Sequence, residues 1–378
     1  MAKKKLLFFS IFIIIILVFV TIYNIIYKNN NIYLNNKDEA PNFISIMLEE
    51  TVGSGEYKVS KSNKWPSKGY VFNKEMSYCN NGSTLTWNEN DNSVSVNINK
   101  TDKCYVYFDI YQLTLAEYIK SQYTGTQGEN SLYYHNSTLT NGAGDNSYRY
   151  AGASDSVNNY ICLGSDATTC PDANLFRIIG VFGNQTKVIR AKSVGYQQWH
   201  TSESNTWSSS SLNAYLNGTY LTSLGTIAEK IATTTWKVGG GSGSNISASV
   251  PATAYKNEVG SSASTTIIDK KIGLMYVSDY GFAASPSAWT KILGDYDGTD
   301  ANGTSIKTIN WMYMGYNEWT ISRHSDNTNS AFFVNSTGNV LGSNVRSDNG
   351  VRPSFNLLSS TTYVSGSGSM SDPVRVTD

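Results

Sequence analysis

The feature that most constrains this chain is an uncharged apolar run at its amino terminus, residues 6–27 (LLFFSIFIIIILVFVTIYNIIY). About 20 apolar residues in a helix span the hydrocarbon core of a bilayer, and a helix satisfies its own backbone hydrogen bonds there. Three lysines at positions 3–5 precede the run and Lys28 follows it. Because positive charge is retained on the cytoplasmic side, the sequence predicts a single-pass membrane protein with a cytoplasmic tail (residues 1–5) and the bulk of the chain extracellular.

A cleaved signal peptide is the alternative for the same run. A signal peptide has a shorter apolar core and a small-residue cleavage site of the Ala-x-Ala kind. This run instead ends in the bulky residues Ile25, Ile26 and Tyr27, and no cysteine follows it closely to accept a lipid. The sequence therefore favours an uncleaved transmembrane anchor over residues 6–27, followed by a polar stalk over residues 28–41.

The charge balance limits the possible partners. Lys plus Arg and Asp plus Glu both number 29, and charged residues make up only 15% of the chain, against about 25% in average soluble proteins. A chain without net charge has no global field that would gather nucleic acid phosphates. The composition therefore predicts no nucleic acid partner and argues against a cytoplasmic enzyme rich in ion pairs.

Residues 42–111 are predicted to form a small all-β module. Apolar and polar residues alternate in runs such as Thr84–Trp87 and Val94–Ile98, which is typical of half-buried strands. Cys79 and Cys104 lie within this segment. An oxidising location permits a disulfide, and neither cysteine has a second Cys or His at metal-ligand spacing. The sequence predicts that the two pair, which would stabilise a small core by roughly 2 to 4 kcal/mol.

Residues 112–159 are predicted to be a linker helix and an irregular arm. Thr114 and Glu117 have the spacing of a capping box, which predicts a short helix from Thr114 through Lys120. The chain from Ser121 to Asn159 is rich in Gly, Ser, Asn and Tyr and has little periodicity, which is typical of irregular structure. A second domain would then occupy residues 160–378.

A β-hairpin over residues 175–191 is the clearest local pattern in the second domain. The apolar runs Leu175–Phe182 and Lys187–Ala191 flank the turn signal Gly183-Asn184, and such a pattern predicts two paired strands. Cys162 and Cys170 come just before it, and we expect them to close a small disulfide loop. A reactive free thiol is the alternative.

Two short helices are predicted after the hairpin. Leu212 and Leu216 lie one turn apart behind Ser210, which favours an amphipathic helix with a serine cap. Thr226 and Glu229 repeat the capping pattern.

The segment GDYDGTDANG contains a weak calcium pattern. Asp295, Asp297 and Asp300 have the alternate spacing of carboxylates in a calcium loop. The closing Glu of the helix-loop-helix type is missing, so a solvated acidic loop is the alternative. No other cofactor is predicted.

Six segments of the second domain carry a resemblance to a known group of proteins. They are NYICLG from Asn159, LFRIIGVF from Leu175, SLNAYLN from Ser211, WTISR from Trp319, GVRPSF from Gly350 and SGSGSMSDP from Ser365. Together they resemble an uncharacterised carboxyl-terminal domain of surface proteins from low-GC Gram-positive bacteria of the gut Firmicutes and Mollicutes type. That domain is similar in turn to the C-type-lectin-like fold of the formylglycine-generating enzyme relatives. The segments WPSKGYVFNKEMSYCNNGSTLTWNENDNSV and DKCYVYFDIYQ resemble a small Cys-bracketed β module of such surface proteins.

The resemblance implies that residues 160–378 form a β-rich C-type-lectin-like domain with one or two short helices and a ligand face on loops near the carboxyl terminus. With the transmembrane helix and the small all-β module, the predicted fold class is α+β. The catalytic Cys pair of the formylglycine enzymes and the sugar-calcium signatures of C-type lectins are absent. This puts sulfatase maturation and calcium-dependent sugar binding in doubt.

The block from Trp311 to Leu357 contains the candidate ligand-binding residues, namely Trp311, Tyr313, Trp319, Arg323, His324, Phe333 and Arg352. Arginine side chains can clamp a carboxylate or sulfate in a bidentate manner, and aromatic rings can stack on sugar rings. Small polar residues around rigid aromatic ones are typical of recognition surfaces. The structural alternative is that the tryptophans fill the core and the arginines tie loop carbonyls and carboxylates together.

No catalytic residue is predicted. The three histidines are far apart, and the chain has no His-Glu-x-x-His pair and no Gly-x-Ser-x-Gly elbow. The sequence therefore favours a membrane-anchored extracellular binding protein that recognises a glycan or a surface glycoprotein, for adhesion or ligand recognition. A structural cell-envelope protein without a specific ligand and an enzyme of unknown reaction are the two alternatives.

Overall fold

The structure is a computed structural model that describes residues 43–60, 69–88, 93–97, 101–260 and 266–377. The chain divides into two units, Met1–Gln112 and Leu113–Asp378. The segments predicted as tail, anchor and stalk lie outside the described residues. The residues after Gln112, predicted to form a linker and an arm, belong to the second unit.

The described part of the first unit is made of β-strands. They are β1 (Phe43–Glu49), β2 (Tyr57–Val59), β3 (Tyr70–Cys79), β4 (Thr84–Asn88), β5 (Ser93–Asn97) and β6 (Lys103–Ile110). Four of them form a sheet in the order β2-β1-β6-β3, with β1 parallel to β6, and β4 pairs with β5 as a hairpin.

Alternate residues of the first-unit strands form its core. Ile46, Val106 and Phe108 are buried, and Phe72 stacks on Trp87 of the β4–β5 hairpin at 5.0 Å between ring centroids. The Cys79–Cys104 disulfide joins directly opposed residues of β3 and β6, which confirms its prediction. The disulfide therefore links the carboxyl-terminal end of β3 to the amino-terminal end of β6.

The second unit contains two larger sheets and a hairpin. Its strands are β7 (Leu132–His135), β8 (Ser147–Tyr150), β9 (Tyr160–Cys162), β10 (Leu175–Phe182), β11 (Gln185–Arg190), β12 (Tyr196–Gln198), β13 (Thr234–Lys237), β14 (Ile267–Lys270), β15 (Ile272–Gly273), β16 (Glu318–Arg323), β17 (Ser330–Val334), β18 (Val340–Asn344), β19 (Asp348–Gly350), β20 (Ser354–Asn356), β21 (Tyr363–Ser365) and β22 (Val374–Val376). One sheet runs in the order β15-β20-β11-β10-β9-β22-β21, with β8 pairing to β10 and β7 to β8. The other runs β12-β19-β16-β17-β18, and β13 pairs with β14.

The α-helices of the second unit are short, from three to eight residues. They are α1 (Leu115–Ser121), α2 (Ser211–Tyr215), α3 (Leu221–Ser223), α4 (Pro251–Glu258) and α5 (Val277–Ala283). A π-helical turn, Leu216–Tyr220, joins α2 to α3. The 3-10 helices are Glu129–Ser131, Asp172–Asn174, Trp207–Ser209, Gly225–Lys230, Pro286–Ala288, Leu293–Asp295 and Ile306–Ile309.

Several local predictions are confirmed in the second unit. Strands β10 and β11 form the predicted hairpin around Gly183, and α1 begins after Thr114 with the complete capping box. Ser210 caps α2 through a hydrogen bond from the Asn213 N–H. The predicted irregular arm differs, because strands β7 and β8 lie within it; each is only four residues long and rich in tyrosine.

The Cys162–Cys170 disulfide is also confirmed. The loop that it closes is held further by Arg375, which donates hydrogen bonds to the carbonyls of Ser165 and Ala167. A side chain near the carboxyl terminus therefore fixes a loop that lies more than two hundred residues earlier in the chain.

The predicted fold class and localisation are both corrected. The described residues are mostly β-sheet with a few short helices, so an α+β class built around a transmembrane helix is wrong. None of the helices in the described parts of the chain has the length and apolar character that a membrane span requires. Eight helical residues rise only about 12 Å, whereas the hydrocarbon core is about 30 Å thick. The described residues therefore give no support to the predicted single-pass membrane protein with a cytoplasmic amino terminus and an extracellular remainder, and this localisation is not retained.

Candidate functional site

Three of the predicted ligand-binding residues lie in the core of the second unit. Trp311, Trp319 and Arg352 are each at most 1% exposed. The Trp311 indole N–H donates to the Tyr150 carbonyl at 2.8 Å, and that of Trp319 donates to the Gln197 carbonyl at 2.9 Å. These rings therefore offer no free face for a ligand to stack on.

Arg352 forms a buried bidentate ion pair with Glu318. Its Nε donates to Glu318 Oε1 at 2.5 Å and its Nη2 to Oε2 at 2.9 Å, and Nη2 also reaches the Met312 carbonyl at 2.8 Å. Burial raises the pKa of Glu318, and the charge of Arg352 opposes that shift. The guanidinium is thus occupied by the protein's own carboxylate.

The other four predicted ligand-binding residues, Tyr313, Arg323, His324 and Phe333, are partly buried. Arg323 Nε donates to the Val238 carbonyl at 3.1 Å, and the Tyr313 hydroxyl donates to the Ser336 carbonyl at 2.7 Å. The His324 ring stacks on Phe332 at 5.0 Å, and the Phe333 ring meets the Trp319 ring edge-on at 6.1 Å. Each of the four thus has a structural contact within the second unit.

The calcium candidates do not form a cluster. Asp300 accepts hydrogen bonds from the N–H groups of Asn302 at 2.9 Å and Thr304 at 2.8 Å, and the Ser287 side chain lowers the pKa of Asp300. Asp295 and Asp297 are exposed. Among the described residues, only one group of possible metal ligands has its ligand atoms close together, namely Cys79, Asp102 and Cys104. Its two thiols are consumed by the disulfide.

A pocket of about 210 Å³ in the second unit has a different character. We call it the Lys187 pocket; it is lined by Phe182, Lys187, Thr234, Thr235, Trp236, Lys237, Tyr255, Val259, Tyr276, Ser278, Asp279 and Asn356. Lys187 and Asp279 are 5% and 3% exposed, and Lys187 Nζ donates to Asp279 Oδ2 at 2.5 Å. The pocket is partly open, and it places a buried ion pair among aromatic side chains.

Local structure explains why these residues face one another. Lys187 lies on β11, in the middle of the larger sheet. Asp279 lies in the first turn of α5, where its Oδ2 also accepts the Tyr276 N–H at 2.8 Å. A carboxylate is favoured at a helix amino terminus. The helix start therefore fixes the carboxylate that meets the lysine of the sheet.

Two cations and two anions meet beneath the Lys187 pocket. Arg149 Nη1 lies 3.7 Å from Asp279 Oδ1, and its Nη2 lies 2.7 Å from Asp145 Oδ2. The Arg149 guanidinium packs over the rings of Phe182 and Tyr255 at 4.7 and 4.9 Å from their centroids. The four charges balance, so the cluster presents no net charge to a ligand.

Burial and charge act in opposite directions on the two groups of this cluster whose pKa shifts. Burial lowers the pKa of Lys187, and Asp279 partly opposes this shift. Burial alone would raise the pKa of Asp145, but the Arg149 charge and hydrogen bonds from Ser147 and Tyr255 hold it below the usual range. Perturbed titratable groups in a pocket are candidates for a functional site.

Asn356, on the pocket wall, has an oxygen without a hydrogen-bond partner among the described residues. Asn356 is 8% exposed, and its Nδ2 donates to Thr234 Oγ1 at 3.0 Å, but its Oδ1 accepts no hydrogen bond. A buried acceptor without a donor costs free energy. A ligand with a hydroxyl or N–H group would satisfy it.

Residues 183–359 match a domain of unknown function (DUF6273). No curated protein and no solved structure matches the chain. The matched segment supplies most of the Lys187 pocket, including Lys187, Trp236, Tyr276 and Asp279, whereas Phe182 and Arg149 precede it. The resemblance to C-type-lectin-like domains stays a prediction.

The sequence does not identify this site, because its two central residues are 92 positions apart. The only local signal is Lys187 itself, a charged residue in a hairpin strand whose other members include Val188 and Ile189, both fully buried. An isolated cation in such a strand requires a partner. Nothing near it in sequence indicates that the partner is Asp279.

Proposed function

We propose that the second unit is a recognition domain that binds one saccharide ring in the Lys187 pocket. The observation that carries the proposal is a partly open pocket in which aromatic rings surround a charge-balanced ion pair. Ligand pockets combine apolar and aromatic walls with a few placed polar groups. This arrangement supports ligand recognition at a place other than the one the sequence favoured.

The walls suit the apolar face of a sugar. Phe182 and Tyr255 are only partly buried, so part of each ring borders the pocket. Arg149 packs against the same rings and fixes their positions. A rigid aromatic side chain contributes a large contact area with little loss of conformational entropy.

The polar groups suit the hydroxyls of a sugar. Lys187 Nζ can donate to a ligand oxygen in addition to Asp279, since an ammonium group has three donors. Asn356 Oδ1 can accept from a ligand hydroxyl. The charges of Lys187, Arg149, Asp279 and Asp145 balance, so this cluster favours no charged ligand, and Lys237 is the remaining charged side chain on the pocket wall.

The volume limits the size of the ligand. About 210 Å³ lies below the roughly 300 to 1,000 Å³ of pockets that hold drug-sized molecules. A single ring fits this volume better than an oligosaccharide, whose further units would have to extend outside the pocket.

Calorimetric titration of the intact, disulfide-bonded protein with a panel of neutral monosaccharides tests the proposal. We expect at least one to bind, and both Phe182→Ala and Tyr255→Ala to weaken that binding about tenfold or more, because each removes an aromatic wall worth about 0.5 to 1.5 kcal/mol beyond its buried area. Tyr196→Ala is the matched control, since Tyr196 is an aromatic residue at 59% exposure that does not line the pocket. Binding to none of the sugars, or binding that all three variants retain, would show the proposal to be wrong.

A further inference from the structure

We propose that Lys187 captures a small aldehyde, such as the open-chain form of an aldose, as a covalent imine. The inference rests on the proposed function, since it uses the same pocket and names the reactive form of its ligand. It goes further by assigning chemistry to a lysine that recognition alone would use only as a hydrogen-bond donor.

The geometry separates Lys187 from an ordinary surface lysine. Lys187 lines a partly open pocket, yet the residue is only 5% exposed. The rings of Tyr276, Trp236 and Phe182 lie 4.6, 5.4 and 5.8 Å from Nζ. Desolvation among apolar groups is one of the ways in which proteins activate a lysine as a nucleophile.

Asp279 supplies the proton acceptor that the reaction requires. Its Oδ2 lies 2.5 Å from Lys187 Nζ, so it can take a proton from the ammonium and leave a free amine. Burial also lowers the pKa of Lys187, against the opposing charge of Asp279, which raises the fraction of free amine at neutral pH. Arginine at the same position would keep the ion pair but could not form an imine.

The reaction balances without any further reagent. The amine nitrogen attacks the carbonyl carbon and the carbonyl π pair moves to oxygen; the attacking nitrogen then gives up one proton, which passes to that oxygen to form a neutral carbinolamine. Asp279 returns its proton to the hydroxyl, which leaves as water while the nitrogen lone pair forms the C=N bond. Overall, one ammonium and one aldehyde give one protonated imine and one water, with no change in oxidation state.

The test uses the intact protein with glycolaldehyde and sodium cyanoborohydride at pH 7, followed by peptide mapping of the reduced adducts by mass spectrometry. Lys237 is an internal control, since it lines the same pocket but its Nζ donates to the carbonyls of Val259 at 2.8 Å and Gly260 at 3.2 Å. We expect Lys187 to react about tenfold faster than Lys237, because its amine is desolvated among aromatic rings and has a carboxylate oxygen 2.5 Å away to accept its proton. Equal or slower reaction at Lys187 would overturn the proposal.

Two further readouts distinguish this proposal from saccharide binding. Lys187→Arg should abolish the adduct on the peptide that contains position 187, because a guanidinium does not form an imine under these conditions. Saccharide binding by the wild-type protein without a Lys187 adduct would refute the imine and leave recognition standing. A Lys187 adduct without saccharide binding would refute recognition and support the imine.

Discussion

Arg352 shows at the residue scale that burial decides what a guanidinium does. Its bidentate partner Glu318 is 2% exposed, so removing the arginine leaves a carboxylate in the core without its counter-charge. We expect Arg352→Met to lower the free energy of unfolding of the second unit by about 3 to 5 kcal/mol, the usual cost of breaking a buried pair from one side. Urea denaturation followed by tryptophan fluorescence measures it.

Arg346→Met is the matched control for this prediction. Arg346 pairs with Glu203 at 3.5 Å, but the two side chains are 55% and 63% exposed. An exposed pair contributes about 0 to 1 kcal/mol, so we expect almost no change in the midpoint of unfolding. A similar loss for Arg346→Met and Arg352→Met would contradict a structural role for the Glu318 pair.

At the scale of elements, the junction between β8 and β10 fixes the back of the Lys187 pocket. Gly180 pairs with Arg149 of β8 at a bulge in β10, and a Cβ on Gly180 would lie 2.2 Å from the Tyr148 carbonyl oxygen. That oxygen belongs to the backbone, so β8 would have to move. We expect Gly180→Ala to destabilise the second unit by about 1 to 3 kcal/mol and, by displacing Arg149, to weaken the proposed saccharide binding.

Gly218→Ala provides the comparison at this scale. Gly218 lies in the π-helical turn, and no atom lies within 4 Å of a Cβ built on it. Replacing such a glycine by alanine stabilises a protein by about 0.4 to 1 kcal/mol through the unfolded state. Equal melting temperatures for Gly180→Ala and Gly218→Ala in thermal unfolding would contradict the prediction that a Cβ at position 180 displaces β8.

At the scale of the whole molecule, we expect His135 to make the stability of the protein depend on pH. Its ring is buried against Phe282 and Trp289, its Nδ1 accepts the Ala143 N–H at 3.0 Å, and its Nε2 has no partner among the described residues. Burial, and then the charge of Arg149, lower the pKa of His135 well below its ordinary value. The folded chain therefore resists protonation at this ring.

The sign of the effect follows from that shift. Between the pKa of the folded state and about 6.5 in the unfolded state, the unfolded chain binds more protons, so stability falls as the pH falls. Relative to His135→Gln, we expect the wild-type protein to lose up to about 1.4 kcal/mol per pH unit below pH 6.5. Denaturation midpoints at several pH values measure the difference. Parallel profiles for the two proteins would contradict the assignment, and other titrating groups, such as Glu258, cancel in this comparison.

The sequence alone determined the elements whose signals are local. The β10–β11 hairpin, the Thr114 capping box and the two disulfides were all predicted and confirmed, because turn residues, cap spacing and neighbouring cysteines act over a few residues or within one small module. The same reasoning failed for residues 121–159, where short tyrosine-rich strands are stabilised by partners rather than by their own periodicity.

Only the tertiary structure decided which side chains line a pocket. Composition placed the candidates near the carboxyl terminus, yet Trp311, Trp319 and Arg352 are in the core, and Lys187 meets Asp279 across 92 residues. A residue type specifies which interactions a side chain can make, but the packing of sheet against helix sets whether it is buried, partnered or free. For this reason the sequence could predict only a class of function, ligand recognition. The Lys187 pocket became visible only in the folded chain, where β11 meets the first turn of α5.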